Sequence, residues 1–442
     1  MKPSSLVGHV LEVLDTIERR DKPADHVVQE FFRRRHYLGS KDRRFIADTV
    51  FDMLRHHVLV RFYAEHTQGQ LGMGSLPLIA RYVAYAIRIR NSTPSEVLSA
   101  VEAHWRFSFP SVDSTAFLEA VANAPAPSVS VPEAWKRIAI EYSMPEFIAA
   151  QWCERFGEEE ATQLCAALNR QAPTVIRVNT LKASREECRR RLAAEGIASE
   201  PTRLSPFGLV LAKRITVSAL KSFREGWFEL QDEGSQLLSL LVDPQPGETV
   251  VDACAGGGGK TLHLAALMQN RGTLFTFDVE ATRLRNIAPR LLRAGVRHTL
   301  VCDAEKERDR LTALRGKADA VLLDAPCSGT GTFRRNPGAK LMVEKAYVAH
   351  MVKTQLSVLA TFAPLVREGG RLVYATCSLL QEENEEVIRT FLGAHHEFAL
   401  EPPAPVLAKY GVDLASDATF LLLLPHKTGT DGFFAAVMRK RT

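Results

Sequence analysis

Apolar residues recur at helical spacing through the first quarter of the chain. Val7, Val10, Leu11, Leu14 and Ile17 form one such stripe, and Phe45, Ile46, Thr49, Val50, Met53 and Leu54 form another. Ser40 stands where the second helix needs an N-cap. The pattern predicts an all-helical segment over residues 1–125. Residues 123–133, NAPAPSVSVPE, have no apolar period and mark a linker or domain edge. A helical stretch follows, MPEFIAAQWCERFGEEEATQLCAALNR, and then the character of the chain changes. TVIRVNT alternates as a strand, SREECRRRLAAEGI reads as a helix with a basic face, and FGLVLA reads as a second strand. This predicts a small α/β module of the RNA-recognition kind over residues 135–240, without the aromatic signature that stacks bases on an RRM sheet. From residue 241 to 442, strands at 249–253, 273–277, 298–302, 319–323 and 371–375 alternate with helical stretches. Those include ATRLRNIAPRLLRAG and a long one near 343–366. Such alternation predicts an α/β fold with a doubly wound, Rossmann-like sheet. DGFFAAVMRK reads as a last strand at an antiparallel edge.

Composition narrows the class. With 442 residues, 46% hydrophobic and 24% charged, the chain is long enough for two or three cores. It has no run of about 18 apolar residues, so no membrane span is expected. Acidic residues come too early at the N-terminus for a secretory signal. The seven cysteines, at 153, 165, 188, 254, 302, 327 and 377, are odd in number and include no CxxC pair. Neither a disulfide framework nor a metal site is expected, and a reducing, cytoplasmic setting fits best. The chain is expected to be monomeric. Net charge is only +5, but residues 170–225 carry 12 Lys+Arg against 5 Asp+Glu, which leaves −2 for the rest. A basic module beside a near-neutral one suits a phosphate-tracking surface; the plain alternative is a solvated basic face. The same two readings apply to Arg33, Arg34, Arg35, His36, Lys41, Arg43 and Arg44.

Three segments carry candidate chemistry: VVDACAGGGGKT at 250–261, VLLDAPCSGTGTFRRNP at 321–337, and RLVYATCS at 371–378. Each is an apolar run ending in small, polar or sulfur-bearing residues, as a buried parallel strand does when its tip is functional. In open α/β sheets ligands bind beyond those tips, where strand order reverses. The glycine loop, Gly256 to Gly259, is not a P-loop, because Cys254 stands where the first glycine is required. It is not the dinucleotide fingerprint either, because Thr261 stands where the third glycine is required. A cofactor whose amino acid moiety sits on the loop is the remaining option. The next strand ends at Asp278, about 20 residues on, where a carboxylate accepts ribose hydroxyls. The strand after it ends at Cys302-Asp303, suited to an adenine edge. S-adenosylmethionine fits this succession, although a single strand-end aspartate is often structural. Cys327 and Cys377 each end a strand; a lone cysteine there is usually an inert core thiol, whereas two flanking one cleft suggest a thiolate nucleophile.

Taken together, RVNTLKASREE, ELQDEGSQLLSLLVDPQPGE, DAPCSGTG followed by RRNP, and YATCS resemble the motifs of the Sun/Fmu-type (RsmB-like, Nol/Nop/Sun) RNA (cytosine-5)-methyltransferases. The resemblance spans residues 135–442, and the helical N-terminus is similar to the NusB-like RNA-binding domain of the ribosomal RNA branch. It implies a class I methyltransferase domain that uses S-adenosylmethionine to methylate carbon 5 of a cytosine, most naturally in 16S ribosomal RNA. Cys377 corresponds to the family's nucleophile and Cys327 to the cysteine that assists product release. The cofactor contacts correspond to Cys254, Ala255, Gly256, Gly257, Gly258, Gly259, Lys260, Asp278, Asp303 and Asp324. Asp324 is further expected to donate a proton to the pyrimidine or to bond its exocyclic amine, and Arg334 and Arg335 to hold flanking phosphates beside the cleft. Two positions depart from the family. The loop is CAGGGGK rather than CAAPGGK, which implies a more flexible loop and weaker cofactor binding. Gly338 stands where an acid is frequent. The competing readings are the same chemistry on transfer RNA, a non-catalytic RNA-binding assembly factor, and an amino-methyltransferase. The last needs an Asn/Asp-Pro-Pro-aromatic tip, and Asp324-Ala325-Pro326-Cys327 is not one.

Overall fold

The computed structural model describes residues 1–19, 22–108, 113–278, 284–414 and 418–442. The chain forms two compact units. The first comprises Met1–Arg170 with Phe333–Glu344, and the second Gln171–Thr332 with Lys345–Thr442. The expected boundaries near 125–135 and 240 cut the chain differently. Residues 135–170 pack with the helical unit, and 171–240 pack with the large sheet.

Among the described residues the regular elements of the first unit are all helices, as the apolar spacing predicts. Val7, Val10, Leu14 and Ile17 of helix Pro3–Arg19 meet Ile46, Val50, Met53 and Leu54 of helix Ser40–Arg55 in one core. The start of the second helix differs from expectation. Gly39 is the N-cap and Ser40 the first helical residue, with no side-chain cap. Phe45, counted on the apolar stripe, is exposed. The stretch after Met144 is two helices, Glu146–Phe156 and Glu158–Asn169, broken at Gly157, whose φ of +83° only glycine adopts readily.

Segment 333–344 lies on this helical unit. Lys340 is buried and donates to the carbonyls of Arg55 (3.2 Å) and Tyr142 (2.9 Å) and to the Asn169 side chain. Three acceptors around one ammonium satisfy its three donors, which is how a lysine can stay buried. Gly338 has a packing reason: a Cβ there would sit 2.9 Å from the Ala24 Cβ, so an acid does not fit without a backbone shift.

The second unit holds two sheets. The smaller has strands β1 (Thr174–Val178), β2 (Ser199–Pro201), β3 (Gly208–Leu211) and β4 (Phe228–Leu230), all antiparallel, in the order β2-β3-β1-β4. Helix Arg185–Ala194 starts in a capping box of Ser184 and Glu187 and buries Cys188 and Leu192. Cys188 and, in the helical unit, Cys165 are core residues.

The larger sheet contains β5 (Thr249–Asp252), β6 (Thr273–Asp278), β7 (Thr299–Asp303), β8 (Ala318–Asp324), β9 (Val366–Thr376), β10 (Phe398–Glu401), β11 (Leu421–Leu423) and β12 (Phe433–Lys440). Its order is β10-β12-β9-β8-β5-β6-β7, with β11 also paired to β12. The strands from β9 to β7 are parallel, and β12 runs antiparallel to β9. Chain order climbs from β5 to β7 on one side and resumes at β8 on the other, so the switch lies between β5 and β8. The final strand is antiparallel as expected but is not an edge. Strands β9 and β10 flank it, and residues 433–438 are buried, which explains why DGFFAAVM lacks polar alternation.

Candidate active site

The tips of β5, β6, β7, β8 and β9 bring the candidate residues to one end of the sheet. Register fixes their neighbours: Asp252 lies beside Leu322, Asp278 beside Asp303, and Asp324 beside Ala375.

The glycine loop is built by its own amides. The Ala255 N–H donates to the Phe277 carbonyl (3.0 Å), Gly256 N–H to Asp278 Oδ2 (2.8 Å), and Gly258 N–H to the Ala255 carbonyl (2.8 Å). Gly256 and Gly258 have φ of +55° and +79°, which a side chain would strain. Gly258 then caps helix Gly259–Leu267. A Cβ at Gly256 or Gly259 would meet nothing within 4 Å, so the loop has an open face against which a ligand can lie. Lys260 crosses to the tip of β8, its Nζ 2.6 Å from Asp324 Oδ2.

The loop is less free than four glycines suggest. Arg177 of β1 is buried and donates to the Gly259 carbonyl (2.7 Å) and to Gln231. Arg290 donates to the Gly257 carbonyl, and Arg290 and Arg293 both pair with the buried Glu229 of β4. The small sheet thus buttresses the glycine loop through its carbonyls. Arg177 is also one of the twelve cations counted in the basic module, and it is withdrawn from the surface. Arg170, Lys182, Arg190, Arg203, Lys213, Arg214, Lys221 and Arg224 of that count are exposed.

Beneath the loop, Asp252 is fully buried and accepts from Thr261 Oγ1 (2.6 Å). Burial foremost raises its pKa to about 7, with Asp324 and Asp278 adding to the rise. Asp278 is buried, with one oxygen on Gly256. Asp303 accepts from the amides of Glu305 (3.1 Å) and Lys306 (3.2 Å) and pairs with the Lys306 ammonium. That ammonium foremost holds its carboxyl below the usual range. Cys302, which precedes Asp303 at this strand end, is a core thiol, pushed up to about 11 chiefly by burial.

Cys327 and Cys377 are brought together, with Sγ atoms 3.4 Å apart and both side chains half-buried. The Gly331 N–H donates to the Cys377 carbonyl (2.9 Å), fastening one cysteine loop to the other. The Cys327 thiol is pushed well up, first by its hydrogen bond with Cys377 and then by burial. A set of residues that motif reading passed over lies directly behind the sulfurs: Ser328, Ser378, Thr330, Gln355 and Glu383, all buried and mutually hydrogen-bonded. The signal was present, since each cysteine is followed by serine and Glu383 comes five residues after Ser378.

Arg334 and Arg335 belong to the helical unit. Arg334 is only 6% exposed, and its carbonyl accepts from Arg55 (3.3 Å). Arg335 is exposed. Among the described residues no cluster of His, Cys, Asp or Glu could hold a metal ion, and no helix is long and apolar enough to cross a membrane.

Comparison with known proteins divides the chain differently from the two compact units. Residues 239–439 match the family described as 16S rRNA methyltransferase RsmB/F, and residues 144–218 match the RsmF/B-like ferredoxin-like domain. The chain is 30% identical over 438 residues to the probable ribosomal RNA small subunit methyltransferase B of Synechocystis, covering 97% of this chain and 98% of that protein. It is 37% identical over 312 residues to the protein of the same name from Bacillus subtilis, covering 69% of this chain and 68% of that one. The crystal structure of PH0851 superposes with a TM-score of 0.76 at 26% identity, covering 100% of this chain and 99% of the other. With the paired cysteines, the glycine loop and near full-length similarity in agreement, the chain is an RNA methyltransferase and belongs to the RsmB/F family.

Proposed function

We propose that this enzyme transfers a methyl group from S-adenosylmethionine to carbon 5 of a cytosine in small-subunit ribosomal RNA, through a covalent bond between Cys377 and carbon 6. The observation that carries this reading is the pair of sulfurs 3.4 Å apart at the strand tips, beside the Lys260–Asp324 ion pair.

The residues suit the cofactor. The open face of the loop from Cys254 to Lys260 accommodates an amino acid moiety, and the carboxylates of Asp278 and Asp303, on neighbouring strand tips, accept hydroxyl and amine hydrogens. Bound there, S-adenosylmethionine supplies an electrophilic methyl group.

Carbon 5 of cytosine is a poor nucleophile, and in this reading Cys377 changes that. Its thiolate donates an electron pair to carbon 6, and the carbon 5–carbon 6 π pair becomes available at carbon 5. The Cys327 thiol, pushed up by its hydrogen bond with Cys377 and by burial, lies beside the attacking sulfur. One oxygen of Asp324 is taken by Lys260, which leaves the other for the exocyclic amine of the base. After transfer, the carbon 5 proton passes to a base, the double bond re-forms, and the carbon–sulfur pair returns to Cys377. Cys327, beside that sulfur, assists this release. The target nucleotide has to leave its stack to reach the crevice, which favours single-stranded or flipped substrate. Arg335, exposed, is the better placed of the two arginines to meet a phosphate.

The test is nucleoside analysis of 16S ribosomal RNA and transfer RNA after incubation with enzyme and S-adenosylmethionine. The reading expects 5-methylcytidine in the ribosomal RNA. Methylation only on an exocyclic nitrogen, or only in transfer RNA, would overturn it.

A further inference from the structure

Glu383 is the most deeply buried carboxylate near the sulfurs, at 0% exposure, and the mechanism above gives it no task. Among the described residues no lysine, arginine or histidine pairs with it. Its partners are neutral donors. Oε1 accepts from the Ser328 N–H (2.8 Å) and from Gln355 Nε2 (3.0 Å), and Oε2 accepts from the hydroxyls of Ser328 and Ser378. Its backbone carbonyl accepts from Tyr374 (2.6 Å). A buried charge without a counter-ion is costly, and an apolar side chain with two alanines would fill the same space more cheaply. Something other than packing therefore accounts for it.

Connectivity supplies the reason. Ser328 follows Cys327 and Ser378 follows Cys377. The two hydroxyls meet on one carboxylate oxygen and lie 3.2 Å from each other. Cys327, Ser328, Glu383, Ser378 and Cys377 form a ring that closes where the sulfurs face each other. We infer that Glu383 is a positioning residue: through Ser328 and Ser378 it sets the separation of the two cysteines and so allows both to act on one pyrimidine. The inference rests on the proposed covalent chemistry for its functional meaning. Its geometric content stands apart from that chemistry. The negative charge of Glu383 also contributes to the raised proton affinity of Cys327.

The test uses the full chain and compares Glu383→Gln, Ser378→Ala and wild type. Glutamine keeps the shape but puts an amide donor among donors, while Ser378→Ala cuts one link and leaves the carboxylate. Three measurements are made on each. Diamide, which takes one hydrogen from each thiol to form a disulfide, reports sulfur proximity through the rate at which the Cys327–Cys377 peptide pair appears by mass spectrometry. Calorimetry gives the affinity for S-adenosylmethionine. Single-turnover methyl transfer to 16S ribosomal RNA gives the chemical step. The inference expects both variants to bind the cofactor as wild type does, while cross-linking and methyl transfer fall together, by about 10²-fold if the sulfurs move by about 1 Å. A folded variant that cross-links and turns over at the wild-type rate would overturn it. If Glu383→Gln does not fold, Ser378→Ala decides alone. If wild type forms the disulfide readily but makes no 5-methylcytidine, the proposed function fails, and the positioning role then stands if the variants cross-link more slowly than wild type and falls if they do not.

Discussion

Replacing Asp252 by asparagine should stabilise the enzyme at pH 8 and not at pH 5. The carboxyl is fully buried, one oxygen accepts from Thr261, and the other has no hydrogen-bond partner among the described residues. Burial raises its pKa from an ordinary 3.8 to about 7. Between those values the folded protein holds a proton that the unfolded chain has released, so stability falls as pH rises through this range and levels off above about 7. From pH 5 to pH 8 the loss spans about two pH units, or about 3 kcal/mol at about 1.4 kcal/mol per unit. Asparagine cannot ionise and lacks this slope. Urea unfolding of both proteins at the two pH values, followed by circular dichroism, measures the difference. Any fixed cost of the amide cancels when the two pH values are subtracted. Equal pH dependence in variant and wild type would refute the reasoning and show that the carboxylate is well solvated in the fold.

Other perturbations probe the remaining parts of the account. Arg290→Ala releases the Gly257 carbonyl and should weaken S-adenosylmethionine binding by about 1–2 kcal/mol, or about tenfold in Kd by calorimetry, the scale of a charge-assisted hydrogen bond. Gly338→Glu, which restores the acid frequent in the family, should destabilise the helical unit by about 1–3 kcal/mol in a thermal melt, because the added Cβ meets Ala24. Cys327, with its raised pKa, should be alkylated by iodoacetamide at neutral pH more slowly than free cysteine, and its rate should climb only at higher pH.

What could be read from the sequence follows physical lines. The parallel strands were visible because both faces are buried, so 249–253 and 319–323 are nearly continuous apolar runs, matching β5 and β8. Strands β2 and β4, three residues each, are too short for any period to register. The interior place of β12 was hidden because edge and interior strands look alike when both are apolar, and pairing with β10 is a non-local choice. At the site, the paired cysteines, glycine loop and tip aspartates were legible because their chemistry restricts residue type. Arg177, Arg290 and Glu383 were not. They are ordinary polar residues whose roles arise only when the chain brings them to the Gly259 carbonyl, the Gly257 carbonyl and the two serines. The arginine contacts to the glycine loop are hidden for the same reason: glycine count describes the free chain, and these contacts exist only in the fold.

The central claim is that Cys377 attacks the base and Cys327 lets it go. The most direct measurement is intact mass spectrometry of Cys327→Ala and Cys377→Ala after incubation with S-adenosylmethionine and 16S ribosomal RNA, followed by nuclease digestion and peptide mapping. The account predicts a methylated cytidine adduct on Cys377 in Cys327→Ala, and no adduct and no methyl transfer in Cys377→Ala. Normal turnover by Cys377→Ala, or an adduct carried by Cys327, would contradict it.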